Sequence, residues 1–119
     1  FPDHVEFKPM GEGFTWDTQD RARDIAVARE AWEEVKRMIA DPSYDMVLAD
    51  ELNIVLRYDY LPLDEVLEVL TARAPMKHVV VTGRNAADAV MEAADLVTEM
   101  TMVKHPFRSG IKGQIGIEF

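Results

Sequence analysis

Cysteine is absent from the 119 residues. That excludes disulfides, thiolate metal sites and a cysteine nucleophile, and it fits a cytoplasmic protein. Positive charge is scarce: 13 Lys and Arg stand against 22 Asp and Glu, for a net charge of −9. A phosphate backbone wants a basic surface, so the balance argues against nucleic acid as the main partner. Histidine is limited to His4, His78 and His105, with no zinc-ligand spacing. No apolar run approaches the roughly 20 residues of a membrane span, and no signal-peptide pattern is visible. The chain opens Phe1-Pro2-Asp3 without an initiator Met, which reads as a start other than the native one.

Hydrophobic residues make up 48% of the sequence, enough for one folded domain with a modest core. The seven Met residues are scattered and read as core filling. Positive charge concentrates in one place. Lys104, His105, Arg108 and Lys112 form a basic stretch with no acid until Glu118, so a local site for an anionic small ligand stays open.

Hydrophobic periodicity sets the order of elements. Val5-Glu6-Phe7 reads as a short or edge strand ended by Pro9. A loop at Gly11 to Trp16 precedes a helix expected from Thr18 to Ala40. Its stripe is Ile25, Ala28, Trp32, Val35 and Ile39, with Asp17 as N-cap, Asp20 in the first turn and a Glu33–Arg37 pair outside. Met46-Val47-Leu48-Ala49 reads as a strand buried on both faces. A second helix opens with Pro62 at its first position; Leu63, Val66, Leu67 and Leu70 form its apolar face, and Arg73 closes its last turn. His78 to Thr82 is a second buried strand. A third helix is capped by Asn85, a third strand runs from Leu96 to Val103, and Gln114 to Ile117 is a last short strand. Strands alternating with helices predict an α/β fold with a mostly parallel sheet.

In such folds ligands bind at the C-terminal ends of the strands. Asp50-Glu51 follows four apolar residues in the form of a Walker B strand, which would set carboxylates beside nucleotide phosphates to orient Mg²⁺ or its water. The same two acids also read as a turn that caps the next helix. In Thr82-Gly83-Arg84 the glycine admits close approach of a ligand and Arg84 suits a phosphate or carboxylate, or the segment is an ordinary turn with a solvated Arg. Lys104 and His105 start the basic stretch and suit a triphosphate, or form a solvated charge cluster. Phe14 and Trp16 lie in a glycine-loosened loop ahead of a helix and suit a flat apolar ligand, or act as core anchors. Gly11-Glu12-Gly13 is no dinucleotide fingerprint.

Taken in order, Gly13-Phe14-Thr15-Trp16, Met46 to Leu52, Tyr58-Asp59-Tyr60-Leu61-Pro62-Leu63, Thr82-Gly83-Arg84, Val103 to Phe107 and Gly110 to Phe119 resemble the P-loop ATP:corrinoid adenosyltransferases of cobalamin synthesis and salvage. The resemblance covers essentially all 119 residues, read as the C-terminal part of a single domain. It implies a RecA-like P-loop fold and a homodimer. It also implies transfer of the 5′-deoxyadenosyl group of ATP to Co(I) of a corrinoid with release of triphosphate, and an electron-donating reductase such as flavodoxin as partner. By position it implies that Phe14 and Trp16 displace the lower axial ligand of Co(II), that Glu51 with Asp50 holds Mg²⁺, and that Arg84, Lys104 and His105 contact ATP or triphosphate.

The family's G-x-x-x-x-G-K-[ST] loop is missing: no Gly-Lys-Ser or Gly-Lys-Thr occurs anywhere in these residues. That loop supplies amides and a Lys that cradle phosphates, so these 119 residues alone are expected to lack turnover. Two other functions fit the same residues: a corrinoid-binding module without turnover, and a different P-loop ATPase in which Asp50-Glu51 serves hydrolysis.

Overall fold

A computed structural model of the chain describes residues 1, 3–10, 20–105, 110 and 112. The first element is helix α1, Arg21–Ala40. The Asp20 carboxylate caps it, accepting the Arg23 N–H at 3.0 Å. Asp20, expected inside the first turn, is therefore the cap; Asp17, expected as the cap, lies outside the described residues. Ala28, Trp32 and Ile39 of the expected stripe are buried, and Ile25 and Val35 are half-buried.

The expected Glu33–Arg37 pair does not form. Arg37 turns its fork to both carboxylate oxygens of Glu34, with Nε 3.1 Å from each, and reaches Asp41 at 3.8 Å. Glu33 pairs instead with Arg29 and Lys36. A planar guanidinium gains two bonds from Glu34, and that geometry outweighs i,i+4 spacing.

Strands β1, Met46–Ala49, and β2, His78–Val81, run parallel in the register Met46↔His78 to Ala49↔Val81. They are the two strands found among the described residues. Burial alternates along β1: Val47 and Ala49 are buried, while Met46 and Leu48 are 59% and 58% exposed. In β2, His78 and Val80 are exposed in the same way. The expectation of strands buried on both faces is thus corrected. Helix α1 packs on β1, and no described element covers the opposite face.

The connection from β1 to β2 holds two helices, α2 at Leu52–Arg57 and α3 at Leu63–Thr71. The sequence shows no period for α2 because it is six residues long and Leu52 to Leu56 are all buried. Pro62, expected as the first residue of α3, is its N-cap, with Asp64 and Glu65 in the first turn. Arg73 lies beyond the C-cap Ala72 and still closes the helix, its NH1 donating to Leu70 O at 2.8 Å.

Val66 is fully buried in a core with Ala28, Trp32, Ala49, Leu52, Val55, Leu56 and Leu61. Burial of a side chain of that size contributes about 1.5–3 kcal/mol. Helix α3 is tied to α1 by Arg29, which forks onto both oxygens of Glu65. Beneath the sheet, buried Lys77 donates from Nζ to Asp41 O at 2.6 Å, to Tyr44 O, and to Met38 O at 3.5 Å. It thereby satisfies the Met38 carbonyl in the last turn of α1 and two carbonyls of the loop that follows.

Helix α4, Asp88–Ala93, has Ala87 at its N-cap position and no side-chain cap there. Asn85, expected as that cap, takes φ 55° in the turn before it, a conformation Asn tolerates. The expected strand from Leu96 to Val103 is irregular; Leu96, Met100 and Val103 are 83%, 91% and 96% exposed. A strand needs a neighbour for its backbone groups, and none lies beside this segment among the described residues. Val5 to Phe7 likewise forms no strand. Side chains anchor that segment instead: Glu6 accepts from the Tyr44 hydroxyl, and Lys8 pairs with Glu34. Gln114 to Ile117 lies outside the described residues.

Candidate functional site at the strand ends

The parallel register brings Asp50, which follows β1, opposite Thr82, which follows β2. The two are bonded. The Thr82 hydroxyl donates to Asp50 Oδ1 at 2.6 Å and accepts the Glu51 N–H at 3.0 Å. The Thr82 carbonyl accepts the Asn53 N–H at 3.1 Å. Thr82 at the end of β2 thus engages Asp50 and Glu51 just after β1 and Asn53 in the first turn of α2.

Two backbone features make this fit. Glu51 is left-handed, at φ 63° and ψ 15°, a conformation costly for a residue with Cβ. Its N–H is satisfied by Thr82, and its carbonyl accepts the Ile54 N–H at 3.0 Å as α2 begins. Gly83 sits at φ 126°, and a Cβ there would lie 2.9 Å from Asn53 Cβ and 3.4 Å from the Asn53 and Ile54 nitrogens. Conformation and space both require glycine.

Asp50 is exposed, and its Oδ2 has no partner among the described residues. Glu51 is half-buried beside it. No group of three or more His, Asp or Glu that could hold a metal occurs among the described residues. Two carboxylates suit Mg²⁺ all the same, because that ion keeps several waters and takes one or two carboxylates together with substrate phosphates. Hard oxygen donors at an exposed strand end fit such an ion.

Arg84 follows Gly83 on the same loop and is exposed. Lys104 and His105 are exposed too, but the strand expected to carry them to this edge is not formed. Phe14 and Trp16 lie outside the described residues. Helix α1, which follows their loop in sequence, is held at its first turn. Arg21 stacks on the Tyr60 ring at 5.2 Å, Tyr60 stacks on Tyr58 at 5.7 Å, and Arg57 lies 6.0 Å from the Tyr58 ring.

Two residues carry parts that the sequence did not assign to them. The Thr82 hydroxyl bonds the Asp50 carboxylate and the Glu51 N–H, and its place at the end of the expected strand His78 to Thr82 was the available signal. Buried Asn53 has no hydrogen-bond partner for Oδ1 among the described residues, and nothing in the sequence marked it.

Comparison with known proteins adds to this geometry. The family model of the ATP:corrinoid adenosyltransferases BtuR/CobO/CobP matches residues 1–119. The corrinoid adenosyltransferase of Sinorhizobium sp is 58% identical over the whole of this chain and 56% of its own length. That of Pseudomonas aeruginosa is 56% identical over the whole chain and 59% of its own length. That of Escherichia coli K12 is 51% identical over 99% of the chain and 60% of its own length. The chain thus spans a little over half the length of these curated relatives.

Proposed function

Because the chain belongs to the ATP:corrinoid adenosyltransferase family, we propose that this protein transfers the 5′-deoxyadenosyl group of ATP to Co(I) of a corrinoid. The observation that carries the reading is the 58% identity to a corrinoid adenosyltransferase along the entire chain. In the transfer the cobalt electron pair forms a bond to C5′, the C5′–O bond breaks, and triphosphate leaves with that oxygen.

The cobalt is the nucleophile, so the protein's work is to bind, orient and stabilise charge. Asp50 and Glu51 are the residues that would hold Mg²⁺. When bound, that ion neutralises charge on the triphosphate. Arg84 reaches the phosphates from the loop after β2, and Lys104 and His105 supply further positive charge. Phe14 and Trp16 form the apolar element that displaces the lower ligand of Co(II), which makes reduction to Co(I) easier. A RecA-like P-loop domain, a homodimer, a flavodoxin-type electron donor and a cytoplasmic setting complete the reading.

A second reading of the same residues is corrinoid binding without turnover. A single assay separates the two. The product of the complete reading frame is given reduced corrinoid, ATP and Mg²⁺, and the absorbance change of adenosylation is followed beside Trp fluorescence. Transfer that Phe14→Ala reduces at least about tenfold supports the enzyme, in the range expected when an orienting group is lost. Quenching by corrinoid without transfer supports the binding module. ATP hydrolysis indifferent to corrinoid and to Phe14→Ala overturns both.

A further inference from the structure

Thr82 bonds the Asp50 carboxylate and the Glu51 backbone N–H. A Thr hydroxyl has one proton to give and two lone pairs. Here the proton goes to Asp50 Oδ1 at 2.6 Å, and a lone pair takes the Glu51 N–H at 3.0 Å. The Thr82 carbonyl is engaged by the Asn53 N–H at 3.1 Å, and its own N–H donates to Ala49 O at 3.3 Å. Both backbone groups and the hydroxyl are thus committed to the segment Ala49 to Asn53.

β-Branching restricts χ1 as well, so the hydroxyl has little freedom to turn away. With Oδ1 fixed, the Asp50 carboxylate plane is fixed, and Oδ2 is the atom left for a cation or its water. The same hydroxyl satisfies the N–H of a left-handed Glu51, which sets where the Glu51 side chain leaves the backbone.

We propose that Thr82 is a positioning residue for divalent-cation binding: its hydroxyl bridges Asp50 Oδ1 and the Glu51 N–H and so orients both carboxylates toward the metal–nucleotide complex. The role rests on the reading of Asp50 and Glu51 as the metal carboxylates, and its own test does not depend on turnover. Groups that orient metal ligands typically change affinity about 10–100-fold when removed. Thr82→Val keeps the shape and loses the hydroxyl; Thr82→Ser keeps the hydroxyl.

Mn²⁺ binding is titrated by electron paramagnetic resonance on the product of the complete reading frame with ATP present. The comparison covers wild type, both Thr82 variants, Asp50→Asn and the Thr82→Val, Asp50→Asn pair. Thr82→Val is expected to weaken Mn²⁺ binding about tenfold and Thr82→Ser to stay within about twofold. In the Asp50→Asn background Thr82→Val should add little, since two residues acting as one unit are not additive. Circular dichroism shows which variants fold, and if Thr82→Val does not, the Thr82→Ser and Asp50→Asn titrations still decide.

An unchanged Mn²⁺ affinity in folded Thr82→Val, or a full effect retained without Asp50, overturns the positioning role. So does a loss in Thr82→Ser as large as that in Asp50→Asn. Wild type that binds no Mn²⁺ overturns the role together with the metal assignment. A shifted affinity in a protein that does not adenosylate corrinoid leaves Thr82 in its role and overturns the transferase reading alone.

Discussion

Gly83 shows how narrowly a single position at the strand ends is determined. Its φ of 126° is strained for any L side chain, and a Cβ would sit 2.9 Å from that of Asn53, on a helix that cannot move without disturbing the core. Gly83→Ala is therefore expected to cost about 1–3 kcal/mol, the range for a residue forced into a sparsely populated backbone region. Urea unfolding of the variant checks it, and a midpoint equal to wild type would show that the loop relaxes freely. Asn53 and Thr82 move with Gly83, so the same substitution should weaken Mn²⁺ binding. The sequence marked Gly83 as a point of close approach. The partner it approaches, Asn53, lies 30 positions earlier and was not legible.

Helix α1 is tied to its surroundings by carboxylates whose ionised form the fold favours. The Arg37 fork, then the Lys8 ammonium, draws the Glu34 carboxyl down from 4.5 to about 2. Arg29 lowers Glu65, and the Tyr44 hydroxyl and Lys8 lower Glu6. A carboxylate with a depressed folded value stabilises the fold fully above its unfolded value and loses that contribution as pH falls through the folded one. The thermal midpoint should thus hold steady above about pH 5 and decline progressively from about pH 4.5 toward about pH 2. Glu34→Gln should flatten part of that decline. Added salt should shrink it as well, because these groups are exposed and screened. A midpoint insensitive to pH across that window would mean the pairs contribute nothing. The sequence showed the charges on α1, and only the fold showed that Arg37 chooses Glu34 over Glu33.

At the scale of the molecule, one face of the sheet carries the helices and the other shows Met46, Leu48 and Val80 to solvent, 59%, 58% and 40% exposed. Contiguous exposed apolar surface of this kind marks an interaction face or a liability to associate. The 119 residues on their own are expected to self-associate as concentration rises, and sedimentation velocity measures it. Leu48→Lys should reduce the association, since a charge on the face opposes it; a monomer at every concentration would refute the expectation. The relatives are longer than this chain, which spans a little over half of them. The same measurement on the product of the complete reading frame shows whether the face is covered there.

The sequence by itself determined the α/β alternation, helix α1 with its buried stripe, the parallel pairing of two apolar segments, and the place of Asp50 and Glu51 at a strand end. These follow from hydrophobic period and chain order, which are local properties. Tertiary structure decided which sheet face is buried and that Leu52–Arg57 is a helix although its first five residues are all buried. It also left Leu96 to Val103 irregular, with no strand beside it among the described residues. Tertiary structure alone joined Thr82 to Asp50 and Glu51 and brought Lys77 beneath the carbonyls that end α1. Burial and hydrogen-bond partners are set by segments more than 30 positions apart meeting in space, and no local pattern encodes that meeting.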